Sequence, residues 1–187
     1  MGFLLIVFCF LHLMIYNERE IRKDLVMEAA RRMASAARTA PKAKGVDILE
    51  TAIVTGDDIQ VLSDELHRIG EERQRMGLLR DADNILKADA ILLIGTHLQR
   101  MGLNCGHCGY KPCEAVPREV PCAFNVMDVG IAIGSACATA ADLRMDTRVM
   151  YSAGVAAQSL NLLDGCSCVI AIPVSASSKN PFFDRKP

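Results

Sequence analysis

Cys105, Cys108, Cys113 and Cys122 fall within eighteen residues, on the stretch NCGHCGYKPCEAVPREVPCAF from Asn104 to Phe124. The gaps between them are two, four and eight residues. Four thiolates on one short segment can serve a single metal centre, and Gly106 and Gly109 let the backbone turn tightly enough to present them. Three chemistries use such a set. A disulfide framework belongs to oxidising compartments and small, core-poor domains, whereas this chain has 187 residues, 51% of them hydrophobic. Structural zinc takes four thiolates, typically as two CxxC knuckles set well apart, and only the Cys105–Cys108 gap has that form. Uneven gaps suit a 4Fe-4S cubane, whose irons sit at separate corners and take ligands from diverging directions. The spacing points to a 4Fe-4S cluster on these four cysteines, with structural zinc as the lesser reading.

The wording CGHCGYKPCEA also resembles the small 4Fe-4S module CGxCGxxxC found in the large subunit of corrinoid iron–sulfur proteins and in a subunit of ion-pumping electron-transport complexes. Cys105, Gly106, Cys108, Gly109 and Cys113 match it. The module's fourth cysteine lies further along than Cys122 does here, which leaves Cys137 as the alternative fourth ligand.

The elements that must carry this segment follow from periodicity. Asn17 to Arg38 has Leu25, Ala29, Met33, Ala36 and Ala37 at helical spacing, opens on Asn17 as N-cap with Glu20 three residues on, and has to stop before Pro41. A loop with Lys42 and Lys44 leads to a strand over Ile48–Val54. Asp57–Gly77 is a second amphipathic helix burying Ile59, Leu62, Leu66 and Ile69, and Leu79–Lys87 is a short helix or loop. The run ADAILLIG, Ala88–Gly95, is a strand buried on both faces, so the cysteine segment is fastened to the end of a central strand. His97, just past it, is expected to be an ordinary satisfied histidine. Val126–Asp142 is a packing helix whose Gly130, Gly134, Ala138 and Ala141 permit close approach, and Thr147–Leu163 is a helix closed by Gly165. Cys168–Val174 is the third strand, with Cys166 and Cys168 on one face as core thiols. The polar tail carries a Phe182–Phe183 anchor. The architecture expected is α+β, with helices flanking a small sheet. It comprises an apolar extension over 1–16 and one domain over 17–187, with the iron–sulfur insertion at 104–124.

Composition sets the outer limits. Lys plus Arg number 21 against 22 Asp plus Glu, and Trp is absent, so neither a basic field nor a stacking platform for nucleic acid is present. The sequence has no G-x-G-x-x-G after a strand, no P-loop and no HExxH. MGFLLIVFCFLHLMIY would reach about 24 Å as a helix, short of a roughly 30 Å hydrocarbon core. It also lacks the positive n-region and cleavage site of a secretory signal. A reading from Met14, or an apolar segment packed on a surface, is expected in place of a stable membrane span. Free thiols and an assembled cluster belong with the cytoplasm.

The run EREIRKDLVMEAARRMASAARTAPKAKGVDILETAIVTG is similar to the opening of the FMN-dependent nitroreductases, with Arg38, Ala40 and Pro41 matching their ARxAPS loop and Lys42 and Lys44 in place of its Ser and Asn. Asp128, Gly130, Ala132 and Ala136 fit the opening of their DxGxAxxNLxLAA helix. That resemblance implies a nitroreductase-like sheet, a homodimer that completes an FMN site, and Arg19, Arg22, Lys42 and Lys44 as candidate neighbours of the flavin phosphate. Taken whole, from about Met14 to Arg185, the sequence resembles a family of uncharacterised ferredoxin-domain proteins of anaerobic bacteria and archaea, through the cysteine segment, RVMYSAGVAA and IPVSASSKNPFFDR. Two functions are consistent with this. One is an oxidoreductase passing electrons from the cluster to FMN and a small organic acceptor. The other is a flavin-free, ferredoxin-like electron carrier, or redox interaction protein, that serves a redox partner protein.

Overall fold

The structure, a computed structural model, describes residues 15–183. The apolar extension lies outside the described residues except for Ile15 and Tyr16, both exposed. Helix α1 runs Glu18–Thr39, opened by Asn17, whose Oδ1 accepts the Arg19 backbone N–H at 3.1 Å. It ends at Ala40, whose extended ψ of 140° meets the restriction imposed by Pro41. The buried stripe is Val26, Ala29, Ala30, Met33 and Ala37, while Leu25 is exposed. The helix is thus turned about one position from the expected face, presenting small side chains where another helix packs.

Strand β1 (Leu49–Thr55) is followed by α2 (Asp58–Glu72), α3 (Met76–Ile85) and β2 (Ala90–Thr96). The cysteine segment leads to α4 (Ala123–Asp142), then β3 (Asp146–Thr147), α5 (Tyr151–Ser159) and β4 (Ser167–Ser175). The sheet order is β1-β2-β4-β3, and every pairing is antiparallel. All seven residues of β2 are buried, as the unbroken apolar run requires of a central strand with helices on both faces. On one face α2, α3 and α5 enclose Leu62, Leu66, Ile85, Leu93 and Ala156; on the other α1 and α4 enclose Met33, Leu92, Ile94, Ala132 and Ala136. Each fully buried Leu or Ile contributes about 1.5–3 kcal/mol.

Three expectations change. The helix expected over Asp57–Gly77 ends at Glu72, and a separate helix, α3, starts at Met76 and takes in most of the Leu79–Lys87 segment read as a short helix or loop. The long Thr147–Leu163 helix shrinks to α5, because Thr147 pairs with Val174 and Met150 exchanges backbone bonds of 2.8 and 3.1 Å with Ala171. It is closed by Asn161, in the left-handed region at φ 52°, with Leu162 N–H reaching Ala157 O at 3.0 Å, and Gly165 plays no part in that cap. In α4 the close approach to α1 is made by Ala132, Ala136 and Ala140, with Ser135 Oγ donating to Ala36 O at 2.9 Å, while Gly130, Gly134, Ala138 and Ala141 face outward. By length and composition α4 could cross a membrane, yet its Val129, Ala132, Ala136 and Ala140 are buried against the rest of the domain.

The tail anchor holds: Phe182 is fully buried, Arg148 donates to its carbonyl at 2.8 Å, and the same guanidinium lies 5.2 Å from the Phe183 ring centroid. On the far side of the sheet Glu65 joins α2 to α5. Arg68, and then the Ser159 hydroxyl at 2.6 Å, hold its carboxyl down to about 2. A depressed carboxylate stabilises the fold fully above its unfolded pKa of about 4.3 and loses that effect as pH falls through the folded value. Glu65→Gln is therefore expected to lower the urea midpoint at pH 7 and to lose most of that gap by pH 2, where the folded carboxyl is half protonated. An equal gap at both pH values would show that the ionised form is not what counts.

Candidate functional site

The segment between β2 and α4 is tied down at several points. His97 N–H donates to Ile48 O at 3.0 Å, Gln99 N–H to Asn125 Oδ1 at 3.1 Å, and the Arg100 guanidinium to Val116 O. Lys44 Nζ donates to Met101 O at 3.1 Å, joining the basic loop after α1 to the root of the cysteine loop. Gly102, Asn104, Gly106 and Gly109 all have positive φ, from 48° to 85°. A Cβ at Gly106 or Gly109 would touch nothing within 4 Å, so it is the left-handed backbone that calls for glycine there. Asn104 and Cys113 bond reciprocally: Asn104 N–H donates to Cys113 Sγ at 3.2 Å, and Cys113 N–H to Asn104 Oδ1 at 2.7 Å.

Cys105 is exposed, Cys108, Cys113 and Cys122 are half-buried, and all four are free thiols. Among the described residues no three His, Cys, Asp or Glu side chains are gathered closely enough to hold a metal ion. The structure thus places the four predicted ligands on one anchored loop without closing them around a centre. Where a metal binds, ligation supplies part of the energy that orders its ligands. The donor set fits an iron–sulfur cluster: four reduced thiols, a backbone N–H already directed at one sulfur, and, beside the loop, a fully buried Asn125 Nδ2 with no partner among the described residues.

Cys122 has a role the sequence did not reveal. Helix α4 begins three residues earlier than its apolar pattern suggests, which makes Cys122 its N-cap. The Cys122 side chain makes no capping bond to that turn, and the helix N-terminus places partial positive charge beside a ligand that must be anionic. Cys122 also lines a cleft of about 480 Å³ with Leu98, Gln99, Arg100, Arg118 and Val120. His107 stacks on Phe124, ring centroids 5.8 Å apart, folding the loop tip onto the same turn. Cys137 lies fifteen residues further along α4, about 22 Å at helical rise. It packs against the α1 core, where burial pushes its thiol up.

The four basic residues named for a flavin phosphate are not brought together as free cations. Lys42 has a side chain only 5% exposed; its ammonium bonds Ala40 O at 2.8 Å and Arg38 O, capping the end of α1, and lies 3.8 Å from Asp47. Lys44 is held by Met101 O, and Arg22 by Glu18 at 2.7 Å one turn back in α1. Arg19 is exposed in the first turn of α1. Arg38 is drawn to Asp47 at 2.9 Å and Leu49 O at 2.6 Å. The buried Asp128 carboxylate accepts Ala43 N–H at 3.1 Å, holding the basic loop against α4. Asn125 and Asp128, polar residues three apart in an apolar helix, were the sequence signal for these anchors.

Cys166 and Cys168 do not alternate on a regular strand. The β2–β4 register shifts between Ile94 and Thr96, and Cys168 takes φ 51° in that bulge. Cys166 joins the core, its thiol pushed up by burial, with Glu50 and Asp164 adding to the effect. His97 Nε2 approaches its sulfur to 3.9 Å, and His97 Nδ1 lies 3.3 Å from Gly165 O.

This arrangement of helices and sheet is a nitroreductase-like fold, as the similarity to solved structures shows. A nitroreductase with bound FMN from Bacteroides fragilis matches at a TM-score of 0.60, with 10% identity over 86% of this chain and 82% of that one. The nitroreductase CinD from Lactococcus lactis, in complex with chloramphenicol, gives 0.56 with 16% identity over 88% and 81%. A BluB-like flavoprotein from Clostridium difficile gives 0.54 with 17% identity over 86% and 83%. The chain belongs to the family described as uncharacterized proteins containing a ferredoxin domain (DUF2148). That family's match spans residues 118–185, which takes in Cys122 but not the three preceding cysteines. An uncharacterized protein of Archaeoglobus fulgidus is 38% identical over 184 residues, covering 93% of this chain and 99% of the relative.

Proposed function

We propose that this protein moves electrons between a 4Fe-4S cluster, an FMN bound at a homodimer interface and a small organic acceptor. A redox role is what the ferredoxin-domain family and the flavoprotein fold have in common. The observation that carries the finer reading is the loop itself, with four unpaired thiols anchored between the central strand and the first turn of α4. When bound, the cluster supplies one-electron transfer and the flavin one- or two-electron chemistry. Cys105, Cys108, Cys113 and Cys122 would hold the cluster, with Asn104 N–H bonding one sulfur and the N-terminus of α4 favouring its negative charge. Lys44, bonded to Met101, ties the loop proposed to lie near the flavin phosphate to the root of the cysteine loop. The outward face of α4, with Val126, Met127 and Ile131 exposed around Gly130 and Gly134, supports a second copy as the partner that completes the flavin site. The setting is cytoplasmic, and a redox partner protein supplies the electrons.

A second reading has its own support. Lys42, Lys44 and Arg22 are already engaged within the chain, as expected of a flavin-free carrier that keeps the fold for dimerisation. Anaerobic purification with iron, sulfide, zinc and FMN quantified per chain separates the cases. Four irons, four sulfides and one FMN are expected; full iron without flavin selects the carrier, and zinc in place of iron overturns the redox reading.

A further inference from the structure

Asn125 sits in the first turn of α4, three residues after Cys122, and is fully buried. Its backbone N–H donates to Cys122 O at 2.9 Å, and its Oδ1 accepts the Gln99 N–H at 3.1 Å. It therefore clasps the two ends of the cysteine loop, Gln99 at the root and Cys122 at the exit. Of the two ends of the Asn125 amide only the oxygen can accept a backbone N–H, so Gln99 fixes which end is which. Nδ2, with two N–H donors, is left buried and without any acceptor among the described residues. Buried amide donors are rarely left unbonded, because the desolvation they suffer is not returned.

Gln99 and Cys122, the two residues Asn125 bonds, both line the 480 Å³ cleft, whose charged groups are the guanidinium donors Arg100 and Arg118. Asn125 itself is buried behind these residues, with its Nδ2 unpartnered among the described residues, three residues from the Cys122 ligand. We propose that Asn125 Nδ2 donates to a sulfur at the Cys122 corner of the iron–sulfur cluster and thereby raises the cluster's reduction potential. The inference rests on the cluster reading above. A donor to sulfur favours the reduced state, which carries one more negative charge. Asn125 acts here as a tuning residue, and Asn104 does the equivalent at Cys113 through its backbone N–H.

Asn125→Asp keeps the acceptor for Gln99 and removes the donor; because its carboxylate also adds a negative charge beside the cluster, a fall in potential supports the proposal only together with a ¹⁵N coupling from Nδ2 to the cluster. Redox titration of the reconstituted protein, followed by the EPR signal of the reduced cluster, reads the result. At a fixed poise the ratio of reduced to oxidised cluster is expected to fall about tenfold, equivalent to 59 mV for one electron. Asn84→Asp makes the same change at the other buried unpartnered amide, on α3 across the sheet, and is expected to leave the ratio unmoved. An unmoved ratio in Asn125→Asp with its cluster intact overturns the proposal and assigns a buried water as the acceptor. So does an equal fall in both variants. Wild type grown with asparagine carrying ¹⁵N at Nδ2 tests for that coupling, and decides alone if Asn125→Asp does not fold. Pulsed EPR with no ¹⁵N coupling to the reduced cluster overturns the proposal, and a coupling that Asn125→Leu abolishes supports it. Wild type that assembles no cluster at all defeats the cluster reading itself, an outcome distinct from an unmoved ratio.

Discussion

Gly154→Ala is expected to cost at least about 3 kcal/mol of folding stability, a large share of the roughly 5–15 kcal/mol a domain possesses. An added Cβ would lie 2.0 Å from Val169 O, 2.7 Å from Val169 C and 2.9 Å from Ile170 Cα. All three are backbone atoms of β4, so no rotamer change relieves the clash. Helix α5 would have to lift off the sheet, yet Met150, just before it, is bonded in both directions to Ala171 of the same strand. Beneath the contact lie Ala153, Ala156 and Ala157, fully buried, whose small size serves the same close approach. This is the physical content of the phrase RVMYSAGVAA: α5 is a helix planed down on one side to lie flat on β4. Gly77→Ala, on α3 where an added Cβ meets nothing within 4 Å, is expected to be neutral or to stabilise by about 0.5–1 kcal/mol. Urea denaturation of both variants checks the pair. A Gly154→Ala midpoint equal to wild type would mean that α5 does not sit on β4 as described.

Where sequence foresaw structure, one residue pattern had one geometric solution. The run Ala90–Ile94 has no polar residue to face solvent, and it became the central strand. Ile59, Leu62, Leu66 and Ile69 leave only one face for α2 to bury. Helix α4 failed the same test because small residues surround it: Gly130, Ala132, Gly134, Ala136, Ala138 and Ala140 offer two equally plausible close-packing faces. Only the tertiary partner, the alanine face of α1, chooses between them. The Cys166–Cys168 alternation broke for a similar reason, since a bulge opposite Thr96 is a property of two strands and leaves no mark in one. Strand order likewise depends on segments far apart in the chain. At the site, ligand types and spacing were legible, because thiolate chemistry is a matter of composition. Three facts were not: that Cys122 caps a helix, that Lys42 turns back onto the end of α1, and that Asn125 keeps an unused donor. Each depends on where a neighbouring segment arrives.

Cys113→Ser is expected to reduce anaerobically purified iron at least about tenfold, a larger loss than second-sphere changes typically cause. A serine hydroxyl is harder than a thiolate and is protonated at neutral pH, so it leaves one iron corner without a competent ligand. Cys113 is the sharpest choice because its sulfur already accepts a hydrogen bond from Asn104 N–H at 3.2 Å, while Asn104 Oδ1 holds its backbone N–H. Cys137→Ser is the comparison that gives this result meaning. Its sulfur is half-buried against α1, about four turns from Cys122, and burial disfavours the thiolate it would need to become. That variant is expected to keep full iron and sulfide, with its circular dichroism unchanged. Iron lost in Cys137→Ser and kept in Cys122→Ser would transfer the fourth ligand to the middle of α4, which the loop cannot reach unless the helix unwinds. Iron kept in Cys113→Ser would show that Cys113 is not required to hold the metal.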